Sequence, residues 1–312
     1  MFTPIKPAVQ RFLKTFGLYH RLRTSRLYDL YWTLVDRRII ADRRSEVDFY
    51  RRSLVGFKQG DLIFDIGANE GYKTNIFLRL GARVVAVEPD PHGQQALRKS
   101  FLTMRALQRP VVVVGKAASD TLSRRRLWIH APGSGKNTLS RKWVDLLSIS
   151  EQRFGSALDF RTSLEIETTT LEALIQIYGP PFFIKIDVEG HELSVLRGLR
   201  CPVPYLSFEV NLPEFATEGK ECIERLAALD SGGTFNYTAD CRRGFELNTW
   251  EETHVFLESF AKCTETSIEV FWKARHGLGG NPHHRHDANP DIAARSSARN
   301  RDASVRTVGE VE

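Results

Sequence analysis

Short apolar runs alternate with amphipathic segments through the middle of the chain. Three of these runs, Leu62–Ile66, Arg83–Val87 and Val111–Val114, are rich in valine and isoleucine, as strands often are. Two later runs, Phe182–Ile186 and Tyr205–Val210, have the near-continuous hydrophobicity of strands that are buried on both faces. The alternation predicts an α/β fold in which a mostly parallel sheet is covered by helices.

The two ends of the chain differ in character from the middle. In residues 1–55, apolar side chains recur at helical spacing among many arginines, which predicts a basic helical N-terminal extension. We expect it to cap the sheet with a solvated cationic face; the alternative is peripheral contact with an acidic membrane surface or an anionic substrate. Residues 276–312 have few large apolar side chains and predict a disordered polar tail with solvated histidines. Residues 56–275 are the predicted domain between them.

The composition limits the classes of protein to which the chain could belong. Its 312 residues, 42% hydrophobic content and mean hydropathy of -0.30 are typical of one soluble domain with extensions. No apolar stretch approaches the roughly 18 residues of a membrane span, and the N-terminus lacks the apolar region of a signal peptide. We therefore expect a cytoplasmic protein. The four cysteines form no C-x-x-C pair, which argues against a zinc site or a disulfide framework.

The net charge of +6 and the pI of about 9.2 suggest nucleic-acid binding as one alternative function. The positive charge is, however, concentrated at the two ends of the chain. The segment Glu209–Pro213, at the end of a predicted strand, is not the N/D-P-P-Y motif of enzymes that modify nucleic acids. We therefore expect no specific nucleic-acid partner.

The segment Asp65–Gly71 covers the end of the first predicted strand and the turn after it, and it has the spacing of a cofactor-binding turn. Gly67 and Gly71 can adopt positive φ angles and have no Cβ, so a ligand could lie against the backbone there. Glu88 ends the next strand roughly 20 residues later, where an acidic side chain usually binds a nucleotide ribose. Asn69 replaces the second glycine of the dinucleotide fingerprint, which argues against NAD. The pattern favours an S-adenosylmethionine site, with an NAD-dependent oxidoreductase as the alternative.

Acidic side chains also end the later strands. Asp187 follows the strand that begins at Phe182, and Glu209 lies near the end of the next strand. Ligands of open parallel sheets bind beyond the carboxyl ends of the strands. We therefore expect Asp65, Glu88 and these two acids to converge on one edge of the sheet and form a site.

Seven short motifs occur in order between residues 61 and 273. They are DIGANEG at 65–71, VEPDP at 87–91, AASD at 117–120, NTL at 137–139, TTTLEAL at 168–174, KIDVEGHE at 185–192 and FEVN at 208–211. Their order and spacing resemble those of the FkbM-type methyltransferases, which use S-adenosylmethionine and often methylate hydroxyl groups of sugars or polyketide-like natural products. The departure from the family pattern is His191, where members more often carry a small residue.

The resemblance implies the class I methyltransferase fold, which is a Rossmann-like, mostly parallel sheet of seven strands with an antiparallel last strand. It also implies S-adenosylmethionine as cofactor and a small molecule or glycan as methyl acceptor. By position, the implied cofactor-binding residues are Asp65, Gly67, Asn69 and Gly71 at the amino-acid end, Glu88 at the ribose, and Ser119 and Asp120 at the adenine. Asp65 and Asp120 could instead serve only their own turns.

Asp187, Glu189 and His191 are the candidate catalytic residues. A sulfonium already activates its methyl group, so transfer depends mainly on holding the acceptor oxygen about 3 Å from that methyl. We expect Asp187 or His191 to align the acceptor hydroxyl and remove its proton, and Glu189 to lie on the same side if the turn is extended. Their structural alternative is a role at the start of the next helix. We expect no metal, although Asp187, Glu189 and Glu209 are oxygen ligands that suit magnesium.

A protein that binds the cofactor without catalysing transfer is a further alternative. The sequence predicts the cofactor turn and the strand-end acids, but it does not identify the acceptor or the oligomeric state.

Overall fold

The computed structural model describes residues 37–101, 111–149, 153 and 155–275, with side chains from residue 41 onward. The predicted helices before residue 37 and the predicted polar tail from residue 276 lie outside these ranges. The boundaries predicted for the extension, the domain and the tail therefore stay predictions.

Eleven strands and eight helices occur within the described residues. The strands are β1 (Leu62–Ile66), β2 (Arg83–Val87), β3 (Val111–Val114), β4 (Ala117–Ala118), β5 (Arg124–Ile129), β6 (Thr162–Thr169), β7 (Phe183–Ile186), β8 (Tyr205–Asn211), β9 (Thr234–Thr238), β10 (Glu251–Glu252) and β11 (Ser267–Lys273). The helices are α1 (Arg37–Ser53), α2 (Tyr72–Leu80), α3 (Pro91–Ser100), α4 (Arg141–Ile149), α5 (Leu171–Tyr178), α6 (Glu192–Arg197), α7 (Ala216–Leu229) and α8 (Thr253–Ala261).

The main sheet has the strand order β10-β9-β11-β8-β7-β1-β2-β3. Strand β1 pairs in parallel with β2 and β7, and β7 pairs in parallel with β8. Strand β11 runs antiparallel to both of its neighbours, β8 and β9. This is the predicted mostly parallel, seven-stranded sheet with an antiparallel last strand, extended at one edge by the two-residue strand β10. The predicted class I methyltransferase fold is therefore confirmed.

A second, three-stranded sheet has the order β4-β6-β5. Residues 127–130 have the sequence pattern of a short strand, but β5 begins earlier, at Arg124, because the whole segment Arg124–Ile129 pairs with β6. Strand β6 was not predicted, since most of its side chains are exposed and its sequence carries little hydrophobic pattern. The strands of this small sheet lie in the sequence between β3 and α5.

Helices cover both faces of the main sheet, as its buried strands require. On β1, Phe64 and Ile66 pack in one core cluster and Ile63 packs in another, which follows the two-residue period of a strand. The second cluster contains Phe49 and Tyr50 of α1. The described part of the predicted N-terminal extension is therefore packed against the sheet. No helix among the described residues has the length and hydrophobicity needed to cross a bilayer.

Candidate active site

Two cavities lie at the edge of the main sheet where the parallel strands end. The first has about 700 Å³ of empty space, partly open to solvent, and is lined by the turn after β1, the end of β2, the loop before α4 and residues 187–191. The second has about 630 Å³ and is lined by residues of α1, α2, the ends of β7 and β8, residues 238–241 and β11. Asp187 lines both cavities.

The turn after β1 brings the ends of three strands together. Gly67 has a φ of +83°, and a Cβ on it would lie 1.7 Å from the backbone oxygen of Asp187. Its N–H donates to the Val87 carbonyl at 2.9 Å. Asn69 also has a positive φ, of 47°. Glycine is required at position 67 because β1 and β7 approach closely there.

Two of the predicted turn residues lie behind the surface of the first cavity. A Cβ on Gly71 would lie 2.7 Å from Leu97 and 2.8 Å from Phe101, so this glycine lets α2 start close to α3. Asp65 is buried and accepts a hydrogen bond from the Thr74 hydroxyl at 2.5 Å. Its Oδ1 atom accepts no hydrogen bond from the described residues, and burial raises the pKa of the carboxyl.

Glu88 is held in the first cavity by backbone groups. Its Oε2 accepts from the Asn69 N–H and its Oε1 from the Asp90 N–H, both at 2.8 Å. Burial raises the pKa of Glu88 to about 7, although the two N–H donors oppose this shift. Gly93 leaves space for the side chain, since a Cβ there would lie 2.8 Å from Glu88 Cγ.

Asp90 connects the cofactor turn to the loop that lines the first cavity. Its Oδ1 accepts from the His92 N–H at 2.9 Å and thereby caps α3. Its Oδ2 accepts from the Gly133 N–H at 2.6 Å and from Asn137 Nδ2 at 2.8 Å. The sequence motif contained no signal for this contact to the loop at 131–137.

The predicted adenine-side residues form a hydrogen-bonded group with His191. The Ser119 hydroxyl donates to Asp120 Oδ1 at 3.0 Å and lies 3.0 Å from His191 Nε2. The pKa of Asp120 is lowered against the effect of burial, by the Ser119 hydrogen bond and by Arg125, whose Nη2 lies 2.6 Å away. The first cavity is lined by His191, whereas Ser119 and Asp120 lie behind it.

His191 is a neutral imidazole in this arrangement. Burial lowers its pKa to about 4, and the nearby Arg125 adds to the shift. If the Ser119 hydroxyl donates to Asp120, its oxygen accepts from His191 Nε2–H, which leaves Nδ1 as the acceptor nitrogen. The structure therefore places His191 with Ser119 and Asp120 on one side of the first cavity.

Asp187 is paired with a lysine that sequence reasoning missed. Lys185 lies in the middle of β7, is buried, and donates to Asp187 Oδ2 at 2.7 Å. Although burial opposes ionisation, this ammonium holds the pKa of Asp187 below its usual value. The charged residue within the apolar run Phe182–Ile186 was the signal that could have identified the pair.

Three carboxyl groups lie together at the ends of β7 and β8. One oxygen from each of Asp187, Glu189 and Glu209 lies within 4.8 Å of the others. Glu189 accepts from Trp143 Nε1 at 3.0 Å, and Glu209 accepts from the Ser267 hydroxyl at 2.8 Å. Burial raises the pKa of Glu189 and of Glu209, and the Asp187 charge adds to both shifts. The structure thus brings Asp187 and Glu189 together with Glu209.

Two curated relatives align with parts of the chain. A hexuronic acid methyltransferase of Haloferax volcanii is 25% identical over 173 residues, which are 55% of this chain and 63% of the relative. A chloroplastic ribosomal RNA small subunit methyltransferase of Arabidopsis thaliana is 40% identical over 57 residues, which are 18% of this chain and 17% of the relative. The chain therefore spans less than two thirds of the length of either protein.

The similarity to solved structures is more distant. The crystal structure of a SAM-dependent methyltransferase from Agrobacterium tumefaciens has a TM-score of 0.37 and 11% sequence identity, covering 74% of this chain and 62% of that chain. The fold is therefore assigned from the strand order of the chain itself.

A family profile matches the part of the chain that holds most of the site. The profile of the Methyltransferase FkbM domain matches residues 65–229. This range begins at Asp65 and includes Glu88, Asp187, His191 and Glu209. The family uses S-adenosylmethionine as its cofactor. The chain belongs to the FkbM methyltransferase family.

Proposed function

We propose that the chain transfers a methyl group from S-adenosylmethionine to a hydroxyl oxygen of a sugar, a glycan or a natural-product-like small molecule. The observation that carries the proposal is the position of Asp187, which lines both cavities at the sheet edge. A cofactor in the first cavity and an acceptor in the second would meet at this side chain.

The residues around the first cavity fit S-adenosylmethionine. Each Glu88 oxygen accepts one N–H, so the carboxyl group retains lone pairs for two ribose hydroxyls. Asp65 Oδ1 is a buried acceptor with no donor among the described residues, which suits the ammonium of the cofactor's amino-acid end. Gly67 and Asn69, which follow Asp65 in the chain, line the first cavity with Glu88.

Three side chains that line the first cavity, Asp187, Glu189 and His191, would align the acceptor and accept its proton. The cofactor, when bound, supplies a methyl group that is already activated for displacement. Asp187, kept ionised by Lys185, can accept a hydrogen bond from an acceptor hydroxyl and direct its oxygen. Glu189 is a second carboxyl group beside it. His191 is the alternative proton acceptor, through Nδ1 of its neutral ring.

The proposed class of acceptor draws support from one relative. The protein of Haloferax volcanii is named for a hexuronic acid, which is a sugar derivative that bears several hydroxyl groups. A polar second cavity lined by Glu209, Thr238 and Ser267 is compatible with acceptors that bear hydroxyl groups.

Calorimetric titration of the full chain with S-adenosylhomocysteine and, in parallel, with NAD tests the cofactor part of the proposal. We expect saturable binding of S-adenosylhomocysteine alone. Binding of NAD alone would indicate an oxidoreductase, and binding of neither would contradict the proposal.

Two substitutions separate cofactor binding from transfer. Glu88→Ala should weaken S-adenosylhomocysteine binding, because it removes the ribose acceptor. Asp187→Asn should retain that binding and slow methyl transfer in a screen of sugars and natural products with labelled S-adenosylmethionine. Glu224→Gln, on the exposed face of α7, is the matched control and should change neither property. The reverse pattern for Glu88 and Asp187 would overturn their assigned roles.

A further inference from the structure

Five carboxyl groups line the second cavity. Carboxyl groups reach it from α1, from the ends of β7 and β8, from the loop after β9 and from β11. They belong to Glu46, Asp187, Glu209, Asp240 and Glu269. Asp240 is paired at 2.6 Å with Arg242, which lies outside the lining, so it adds little net charge.

Both lysines that line the second cavity already have carboxylate partners. Lys73 pairs with Glu46 and lies 4.0 Å from Glu269. Lys185 pairs with Asp187 at 2.7 Å. Four carboxyl groups thus face two ammonium groups in the described lining, and no described lining cation is left for an incoming anion.

Glu209 and Glu269 are also directly opposite each other in the sheet. They form a register pair between β8 and β11, a position in which two like charges lower stability. Glu269 is compensated, since it accepts from the Ser207 hydroxyl at 2.6 Å and lies beside Lys73. Glu209 accepts from the Ser267 hydroxyl at 2.8 Å and otherwise lies against the Asp187 carboxyl group. Additional hydrogen-bond donors from a ligand would relieve this arrangement.

We propose that the second cavity binds the methyl acceptor through Glu209 and Asp187, and that the part of the acceptor held there presents hydroxyl or amino groups and no acidic group. This inference rests on the function proposed above and narrows its acceptor to a neutral sugar or an amino sugar. Carboxyl groups accept hydrogen bonds from hydroxyl and ammonium donors, and they repel the carboxylate of a uronic acid or a phosphate.

The protonation of Glu209 leaves the conclusion unchanged. Burial and the neighbouring Asp187 charge raise its pKa, so Glu209 can hold a proton in the ligand-free protein. The cavity then has three charged carboxylates against two ammonium groups, and it still carries no excess positive charge. A protonated Glu209 can also donate to an acceptor oxygen, which a neutral polyol tolerates.

A glycan array tests the inference on the full chain saturated with S-adenosylhomocysteine. The array carries neutral glycans, glycans with free amino sugars and glycans ending in uronic acids. We expect retention of neutral or amino-bearing glycans at a level at least tenfold above that of the matched uronic acids. Equal or stronger retention of uronic acids would overturn the inference, and so would the retention of no glycan.

Variants connect the array signal to the second cavity. Glu209→Gln should lower retention at least tenfold and preserve S-adenosylhomocysteine binding, which also shows that the variant is folded. Glu224→Gln, an exposed carboxylate on α7, should retain the glycans as the unsubstituted protein does. Unchanged retention by Glu209→Gln would overturn the inference. If S-adenosylhomocysteine fails to bind the unsubstituted protein, the proposed function itself is wrong, and the two failures are thereby distinguished.

Discussion

Replacing Gly67 by alanine would disturb the contact between the cofactor turn and Asp187. Two costs add at this position. An alanine at a φ of +83° costs about 1–2 kcal/mol, because its Cβ crowds the neighbouring carbonyl. The Cβ would also lie 1.7 Å from the Asp187 backbone oxygen, and such overpacking costs about 1–3 kcal/mol as the backbone shifts. We expect the free energy of unfolding to fall by about 2–5 kcal/mol in total.

Gly60→Ala is a matched control for the backbone term alone. Gly60 has a φ of +94°, and a Cβ there would meet no atom within 4 Å. The control should therefore lose only about 1–2 kcal/mol and bind S-adenosylhomocysteine normally. The difference between the two variants measures the contact between β1 and β7.

Urea unfolding and calorimetric titration provide the two readouts. Because the shift at position 67 moves both Asp187 and the N–H donors of the turn, Gly67→Ala should also weaken S-adenosylhomocysteine binding at least tenfold, or about 1.4 kcal/mol. Equal stability losses in the two variants, together with unchanged binding by Gly67→Ala, would refute this reasoning.

Three further predictions concern charges at the site. Burial raises the pKa of Glu88 to about 7. The Glu88 carboxyl group therefore contributes its full stabilisation of the fold below its usual pKa of 4.5, and this stabilisation is lost as the pH rises through 7. The ionised form is the better ribose acceptor, so S-adenosylhomocysteine affinity should rise roughly tenfold between about pH 6 and 8, and Glu88→Gln should flatten this profile in calorimetry. Asp90→Ala should speed hydrogen exchange in residues 131–137, because it removes the acceptor for Gly133 and Asn137. Asp90→Ser should keep the α3 cap and show the same faster exchange. Normal exchange in both variants would contradict the role assigned to Asp90. Lys185→Met should lower the free energy of unfolding in urea by about 3 kcal/mol. This value is at the low end for a buried pair, because 37% of the Asp187 side chain is exposed. A loss below about 1 kcal/mol would show that Asp187 needs no partner.

The central sheet could be predicted because its strands carry their signal locally. The predicted bounds Leu62–Ile66, Arg83–Val87 and Val111–Val114 are those of β1, β2 and β3. Each is a mainly apolar run that ends in a turn, and the parallel arrangement follows from the helices between them. The same topology places Glu88, Asp187 and Glu209 at one edge, which the sequence also predicted.

Features that depend on contacts distant in the sequence could not be predicted. Strand β6 has an exposed face and is held by backbone pairing with β5, so its own residues carry no clear period. The segment Phe235–Leu247 suits a final strand of the family's sheet, but β9 ends at Thr238, because Asn236 Nδ2 donates to the Leu247 carbonyl and the chain folds back. The contacts of Asp90 with residues 133 and 137 depend on this same kind of long-range geometry.

The first cavity is lined by residues within the family-matched range, whereas the second cavity also uses residues outside that range. The matched range, 65–229, contains the described lining of the first cavity. The second cavity takes Glu46 from before that range and residues 238–241 and 267–269 from after it. Substitutions in these flanks can therefore reshape the second cavity without touching the first. A truncation to the matched range would remove the flanking residues that line the second cavity. Chimaeras that exchange the flanks between relatives would replace the same residues, and they offer a direct way to exchange ligand preference.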